Sequence, residues 1–283
     1  NYFFKLSDFL EPVKKLIVSD KIRIEPLERK NEVLALLEQE LEDFSISRQK
    51  VKWGISLPFD KKQISYVWME ALLNYITAIN YENDSKKFNK FWPVNLHLIG
   101  KDILKFHAIY WPALLLAVGL RPPQKIFAHG FYTVNSQKMS KSLGNVIDPV
   151  YLANKYGVDA LRYFLLREIP FGQDGDFSEK RLRERYNADL ANGLGNLVSR
   201  VLALSARTEV FLENIEKIQV EGELAGTIKS TQEKYKKSLE EIKFHEALEV
   251  IWQLISACDE YIEKKKPWAL IKTDQNKFKQ VLS

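Results

Sequence analysis

Apolar residues recur along this chain at two periods, and the change from one to the other marks out its regions. In residues 29–44, Val33, Leu34, Leu36, Leu37, Leu41 and Phe44 fall at helical spacings, which predicts a helix across that stretch. Ile64-Ser65-Tyr66-Val67-Trp68 reads as a strand that runs into a helix over 69–79. Beyond a loop rich in Asn, Asp and Lys, Asn95-Leu96-His97-Leu98-Ile99-Gly100 predicts a short strand ending in glycine. A helix begins at Asp102, and Lys125-Ile126-Phe127-Ala128-His129-Gly130 predicts the next strand. Strand, helix and strand at this spacing make a parallel crossover unit. Ligands of such sheets gather beyond the carboxyl ends of the strands, which here carry Gly100-Lys101-Asp102 and His129-Gly130.

After Asp148 the pattern becomes helical throughout. A helix is expected over 149–167 with Tyr151, Leu152, Tyr156, Leu161 and Phe164 turned inward, then a loop or short strand over 169–177. Asp176 or Ser178 caps the long helix that follows. Its apolar positions Leu182, Tyr186, Leu190, Leu194, Leu197, Val201 and Leu204 form one stripe, and Phe244, Leu248, Ile251, Ile255, Cys258 and Ile262 repeat the pattern until Pro267. The expected fold class is therefore α/β plus all-α, a parallel-sheet region followed by a helical bundle. No internal repeat or low-complexity tract interrupts it.

Composition narrows this picture in three places. At 283 residues and 46% hydrophobic the chain is long enough for about two cored domains. The longest apolar stretch, 108–120, contains Pro112 and falls short of the roughly 20 residues a membrane helix requires, so a soluble, cytoplasmic protein with no membrane partner is expected. The single cysteine, Cys258, excludes an internal disulfide and any Cys-x-x-Cys zinc site within these residues. A net charge of +5 favours a polyanionic partner, although a modest excess also serves solubility.

Three constellations carry candidate chemistry. Lys138-Met139-Ser140-Lys141-Ser142, followed by Leu143-Gly144-Asn145, is a basic loop suited to closing over a polyphosphate, where ammonium groups can follow charge growing on phosphate oxygens. Taken alone, such a pair of lysines equally fits a solvated surface loop. Trp68, Ala71, Leu72 and Tyr75 fall on one side of a turn-to-helix segment, and Ile103, His107 and Trp111 repeat at i, i+4 and i+8. An aromatic stripe of this kind is usually core, yet an unbranched, polarizable thioether wants the same surroundings. Asn196 and Arg200 share a helix face, and Trp268 follows Lys264-Lys265-Lys266-Pro267. Unpaired bases are read by stacking on aromatics and hydrogen bonding to Asn or Arg. The alternative is that Trp268 packs a helix end and Arg200 makes a surface ion pair.

The whole run from Ala128-His129-Gly130-Phe131-Tyr132-Thr133-Val134-Asn135-Ser136-Gln137 into the lysine loop resembles the signature of the class I aminoacyl-tRNA synthetases. Its flanks narrow the resemblance to the methionyl-tRNA synthetases, and it extends from Asn1-Tyr2-Phe3-Phe4-Lys5-Leu6-Ser7 to Lys266-Pro267-Trp268. The resemblance implies the end of a connective insertion over 1–52 and the second half of a Rossmann-like catalytic domain over 53–137. The lysine loop and a stem-contact fold over 138–177 and an α-helical anticodon-binding domain over 178–283 complete it. It implies ATP-dependent activation of L-methionine, with Mg2+ arriving as part of the ATP complex, and transfer to tRNA(Met). Lys141 would touch the departing β,γ-phosphates with Lys138 in support. Backbone groups from His129 to Tyr132 would hold adenine, Gly100 would let the backbone approach the nucleotide, and Asp102 would accept from ribose hydroxyls or cap its helix. Trp68, Ala71, Leu72, Tyr75, Ile103, His107 and Trp111 would line the methionine pocket, with Leu72 where some relatives have proline. Asn196, Arg200 and Trp268 would contact the anticodon.

None of the four histidines, His97, His107, His129 and His245, supplies the family's His-x-Gly-His sequence. The chain also opens on Asn1. The expectation is therefore a C-terminal fragment, inactive alone, with any zinc knuckle upstream. The rival readings are a synthetase for leucine, valine, isoleucine or cysteine, and a tRNA-binding module without catalysis.

Overall fold

A computed structural model describes residues 1–206 and 222–282; residues 207–221 and Ser283, which belong to the expected helical bundle, lie outside the described residues. The chain divides into two compact units, Asn1–Phe131 and Tyr132–Ser283.

The first unit is built on a three-stranded parallel sheet in which Lys125–His129 lies between His97–Gly100 and Arg23–Glu25. The crossover from His97–Gly100 to Lys125–His129 is the unit the hydropathy pattern predicts. Arg23–Glu25 was not legible as a strand, because it is three residues long with one apolar side chain, Ile24. Pairing with Lys125–Phe127 makes it one, and Glu25 takes an ion pair from Lys125 at 3.0 Å. Helices Leu10–Val18 and Leu27–Leu37 bring Val13, Ile17 and Val33 into one buried core with Ile24, Ile99, Ile109 and Ile126.

Three expected elements differ. The helix predicted over 29–44 ends at Leu37, and Phe44–Ser45 pairs instead with Phe3–Phe4 in a short antiparallel sheet. Phe44 stacks on Tyr110 with centroids 4.4 Å apart, a contact with a residue 66 positions away that no local period reveals. Of the expected 64–68 strand, Ile64–Ser65 pairs with Ser47–Arg48, Tyr66 stays extended as the helix cap, and the helix starts at Val67. The helix expected from Asp102 is a 3-10 turn at Lys101–Ile103, a π turn at Phe106–Tyr110 and an α-helix at Trp111–Ala117. Pro112 has no N–H to give to the preceding turn, and the chain widens just before it.

In the second unit, Tyr132–Val134 pairs antiparallel with Gln137–Lys138 and parallel with Gly175–Asp176. The second compact unit opens with this pairing. The helix predicted over 149–167 is two helices, Pro149–Tyr156 and Val158–Arg167, separated by Gly157 at φ +90°, a conformation that breaks an α-helix and suits glycine. Leu152, Leu161, Phe164, Phe177 and Leu182 form their shared core.

Ser178, not Asp176, caps the next helix, its side chain accepting from the Arg181 N–H. That helix runs as α over Glu179–Arg185, π over Tyr186–Gly195 and α again over Asn196–Ser205. The π stretch changes the turn from 3.6 residues to about 4.4, so the expected single stripe loses phase. Leu182 and Leu204 are buried, whereas Tyr186 and Leu194 are exposed. Helices Ala225–Glu240 and Phe244–Lys265 pack together, Lys266 takes a left-handed conformation, and Pro267–Thr273 and Gln275–Leu282 follow. No helix among the described residues is long and apolar enough to cross a membrane.

Candidate functional site

The first unit gathers an aromatic and histidine cluster on helix Val67–Thr77, strand His97–Gly100 and the π turn Phe106–Tyr110. Tyr75 Oη lies 2.8 Å from His107 Nε2, and His107 Nδ1 lies 3.0 Å from the Ile103 carbonyl oxygen. A carbonyl only accepts, so the ring proton sits on Nδ1 and the Tyr75 hydroxyl donates to Nε2. Trp111 Nε1–H donates to His97 Nε2 at 3.2 Å. Tyr75 spans the two imidazoles, its ring centroid 4.4 Å from His97 and 5.6 Å from His107. Trp68 stacks on Phe106 at 3.8 Å and meets His107 edge-on.

Both histidines are neutral at pH 7. Burial, with the neighbouring His107 as a second cause, pushes His97 down to about 4, and burial also lowers His107 against the opposing pull of the Ile103 carbonyl. Burial raises the Tyr75 phenol. What results is an aromatic wall with an uncharged polar pair, surroundings suited to a thioether and poor for a charged side chain.

The seven expected pocket residues do not all join this cluster. Trp68, Tyr75, His107 and Trp111 do. Leu72, 1% exposed, is part of the core that also holds Ile76, Phe88, Trp92 and the fully buried Trp111, with Trp68 packed against it, but it makes none of the ring contacts of the cluster. Ile103 packs against the other core and contributes its carbonyl, while Ala71 is exposed on the same helix. His97 and Phe106 are members that side-chain spacing missed. The available signal for His97 was a histidine at a buried position of an apolar strand.

At the carboxyl end of His97–Gly100, a Cβ on Gly100 would sit 2.8 Å from Asp102 Oδ1 and 3.5 Å from Phe131. A larger residue there would displace the exposed Asp102 carboxylate. Asp102 is exposed within the 3-10 turn, and Gly100 occupies the cap position. His129 Nδ1–H donates to the Gly130 carbonyl at 2.8 Å.

In the second unit the lysine loop is held from beneath. The Asn145 side chain accepts from the Ser140 N–H at 2.8 Å and donates to the Lys138 carbonyl at 3.2 Å. Lys141 is exposed in the 3-10 turn Lys141–Leu143, and Gly144 exits it at φ +63°. The hairpin leading in turns at Asn135 and Ser136, both at positive φ. Asp176 secures that turn, accepting from the Ser136 and Asn135 N–H groups and from Thr133 Oγ1, and these bonds, Ser136 first, hold its carboxyl below the usual range. The Tyr132 hydroxyl donates to the Leu165 carbonyl at 2.6 Å, and burial raises its phenol to about 12. Its side chain belongs to the core of this unit, which leaves only its backbone for a nucleotide.

Arg200 and Trp268 come together in the helical part. The guanidinium carbon stands 5.8 Å above the indole, held there by Glu263 at 2.6 Å and Asp259 at 3.5 Å. Asn196 is exposed one turn earlier, and Trp268 is 41% exposed. The surface ion pair and the aromatic contact thus coexist. A cavity of about 300 Å3 between helices Ala225–Glu240 and Phe244–Lys265, lined by Lys234, Lys237 and Glu241 among others, includes none of the expected residues. Among the described residues, no three His, Cys, Asp or Glu side chains converge as a metal site requires.

Comparison with known proteins gives concordant matches. Residues 1–202 match the family model described as tRNA synthetases class I (M), and residues 213–282 match that of the anticodon binding domain of methionyl tRNA ligase. The chain is 45% identical over 280 residues to the methionine–tRNA ligase of Clostridium tetani, covering 98% of this chain and 44% of that protein. It is 44% identical over 274 residues to that of Thermotoga maritima, covering 95% and 43%. Among solved structures, Mycobacterium tuberculosis methionyl-tRNA synthetase bound by methionyl-adenylate is similar with a TM-score of 0.90 at 40% identity, covering 100% of this chain and 57% of that one. The chain thus spans about half the length of the curated relatives it matches.

Proposed function

The chain belongs to the class I tRNA synthetases of the methionine type, and from that premise we propose that it is the later part of a cytoplasmic methionine–tRNA ligase. The reaction begins when the methionine carboxylate attacks the α-phosphorus of ATP and pyrophosphate departs. A hydroxyl of the tRNA terminal ribose then attacks the adenylate carbonyl, releasing AMP. Mg2+ arrives with ATP as substrate.

In this reading the first unit holds methionine and much of the nucleotide. Trp68, Tyr75, His107 and Trp111 surround the side chain, Ala71 stands on the same helix, and Leu72 and Ile103 support from the cores. Gly100 gives the nucleotide close approach, Asp102 takes the ribose, and backbone from His129 to Tyr132 takes adenine. Lys141 follows charge onto the leaving pyrophosphate with Lys138 in support. The expected ranges 1–52, 53–137, 138–177 and 178–283 keep their roles. Asn196, Arg200 and Trp268 read the anticodon of tRNA(Met).

The observation that carries this reading is the uncharged Tyr75–His107 pair set among Trp68 and Trp111. Its polarity distinguishes a thioether from a hydrocarbon of the same shape. Methionine-dependent ATP–pyrophosphate exchange by the full-length ligase tests it. With Tyr75→Phe, His107 Nε2 loses its donor, and KM for methionine rises about tenfold while kcat changes little. A KM that stays put while kcat falls would remove Tyr75 from the pocket.

A further inference from the structure

The arm formed by residues 47–66 presents a tryptophan that contributes nothing to the core. Trp53 is 89% exposed, and Phe59, at 66%, stands beyond it. This arm is not a loose loop. The Ile55 carbonyl accepts from Ser65 N–H at 2.7 Å and Leu57 N–H donates to the Gln63 carbonyl at 3.0 Å, making a hairpin. Asp60 ties its tip to Lys62 N–H, Gln63 Nε2 and the Tyr2 hydroxyl, and the Tyr2 ring meets Phe59 edge-on at 5.0 Å. Gly54, at φ +146°, lies so close over Ile64 that a Cβ would meet its Cδ1 at 2.7 Å, and the chain turns there with Trp53 outward. A rigid scaffold that holds large rings in water marks an interaction surface.

Charge identifies the partner. Lys50, Lys52, Lys61 and Lys62 are exposed on the same arm, and its one carboxylate, Asp60, is occupied by the hydrogen bonds above. Exposed rings interleaved with lysines suit a strand of unstacked bases on a phosphate backbone. A protein surface matched to these rings would have to desolvate four ammonium groups. The arm's second strand, Ile64–Ser65, runs directly into helix Val67–Thr77, which carries Trp68 and Tyr75.

We propose that this arm docks the unpaired 3′ end of the tRNA, a base stacking on Trp53 while the lysines follow the phosphates, so that the acceptor ribose is delivered to the methionine cluster one element away. The proposal rests on the function above, and the test separates the two. A labelled tRNA with a CAU anticodon, and the same RNA lacking its unpaired 3′ nucleotides, are titrated with the parent chain, Trp53→Ala and Trp53→Phe, following anisotropy. The parent binds the intact RNA about tenfold more tightly than the truncated one. Trp53→Ala removes that difference, leaves truncated-RNA binding and the melting temperature unchanged, and Trp53→Phe retains most of the difference.

Equal parental affinity for both RNAs overturns the arm's role and leaves the ligase reading standing. No binding of either RNA overturns both. If Trp53→Ala in the full-length ligase instead lowers melting temperature and methionine-dependent exchange while keeping the preference for intact RNA, the ring packs against another part of the protein and the proposal fails.

Discussion

His97 illustrates how much a single residue owes to its neighbours. It is 4% exposed, accepts from Trp111, and faces Tyr75 and His107, so protonating it means placing a charge among buried rings. Its folded pKa, about 4, lies below the unfolded value of 6.5. The unfolded chain therefore takes up the proton first as pH falls. The associated stability is present above pH 6.5 and is lost between there and about 4, amounting to roughly 3 kcal/mol. Urea midpoints of the chain at pH 7 and 4.5 should fall accordingly, and His97→Gln, whose amide oxygen can still accept from Trp111, should flatten the dependence. The opposite case is Lys141, which is exposed. In the full-length ligase, Lys141→Ala should lower the maximal exchange rate by roughly 10²-fold while KM for methionine holds, because its contact strengthens only as pyrophosphate leaves. A loss confined to methionine binding would make the loop structural.

At the scale of elements, the departures from regular helix decide which side chains meet. The π turn before Pro112 leaves His107 and Trp111 both against Tyr75, while Ile103 falls to another core. The longer π stretch, Tyr186–Gly195, resets the phase just ahead of Asn196 and Arg200. Gly195 permits it, since a Cβ there would lie 2.9 Å from the Leu190 carbonyl oxygen. Downstream, the helix break at Lys266 and Pro267 sets Trp268 under the Arg200 guanidinium. With Trp268→Ala, aminoacylation of tRNA(Met) should weaken by about 1 to 3 kcal/mol of transition-state free energy while methionine activation is unchanged. An anticodon-substituted tRNA should then be discriminated less well than by the parent. If both activities fall together with the melting temperature, Trp268 is a packing residue of the bundle.

For the molecule as a whole, the residues proposed for chemistry and recognition are divided between units. Gly100 and the aromatic–histidine cluster proposed for methionine stand in Asn1–Phe131, and the lysine loop and the Arg200–Trp268 pair stand in Tyr132–Ser283. The chain contains no His-x-Gly-His sequence, which the resembling family uses in the ATP site. These 283 residues alone should accordingly give no methionine-dependent ATP–pyrophosphate exchange above background. Robust exchange by the purified chain would overturn the division of the catalytic site proposed above.

The sequence by itself determined the parallel crossover at His97–Gly100 and Lys125–His129, the helical character after Asp148, the lysine loop, and the family, because each is written in local period or in an uninterrupted string. The pairing of Arg23–Glu25 with Lys125–Phe127, the return of Phe44 to Phe3–Phe4, and the Asp176 clamp on a turn some 40 residues away were decided only by tertiary structure. Those contacts join residues distant along the chain, where no short-range pattern encodes them. The aromatic–histidine cluster falls between the two cases. Residue types and spacing nominated Trp68, Tyr75, His107 and Trp111, but it took packing to turn Ile103 to another core, to set Leu72 among the aliphatic residues behind Trp111, and to add His97 from a different strand. Spacing assigns a side chain to a face of its own element, and only the neighbouring elements decide whether that face meets core or site.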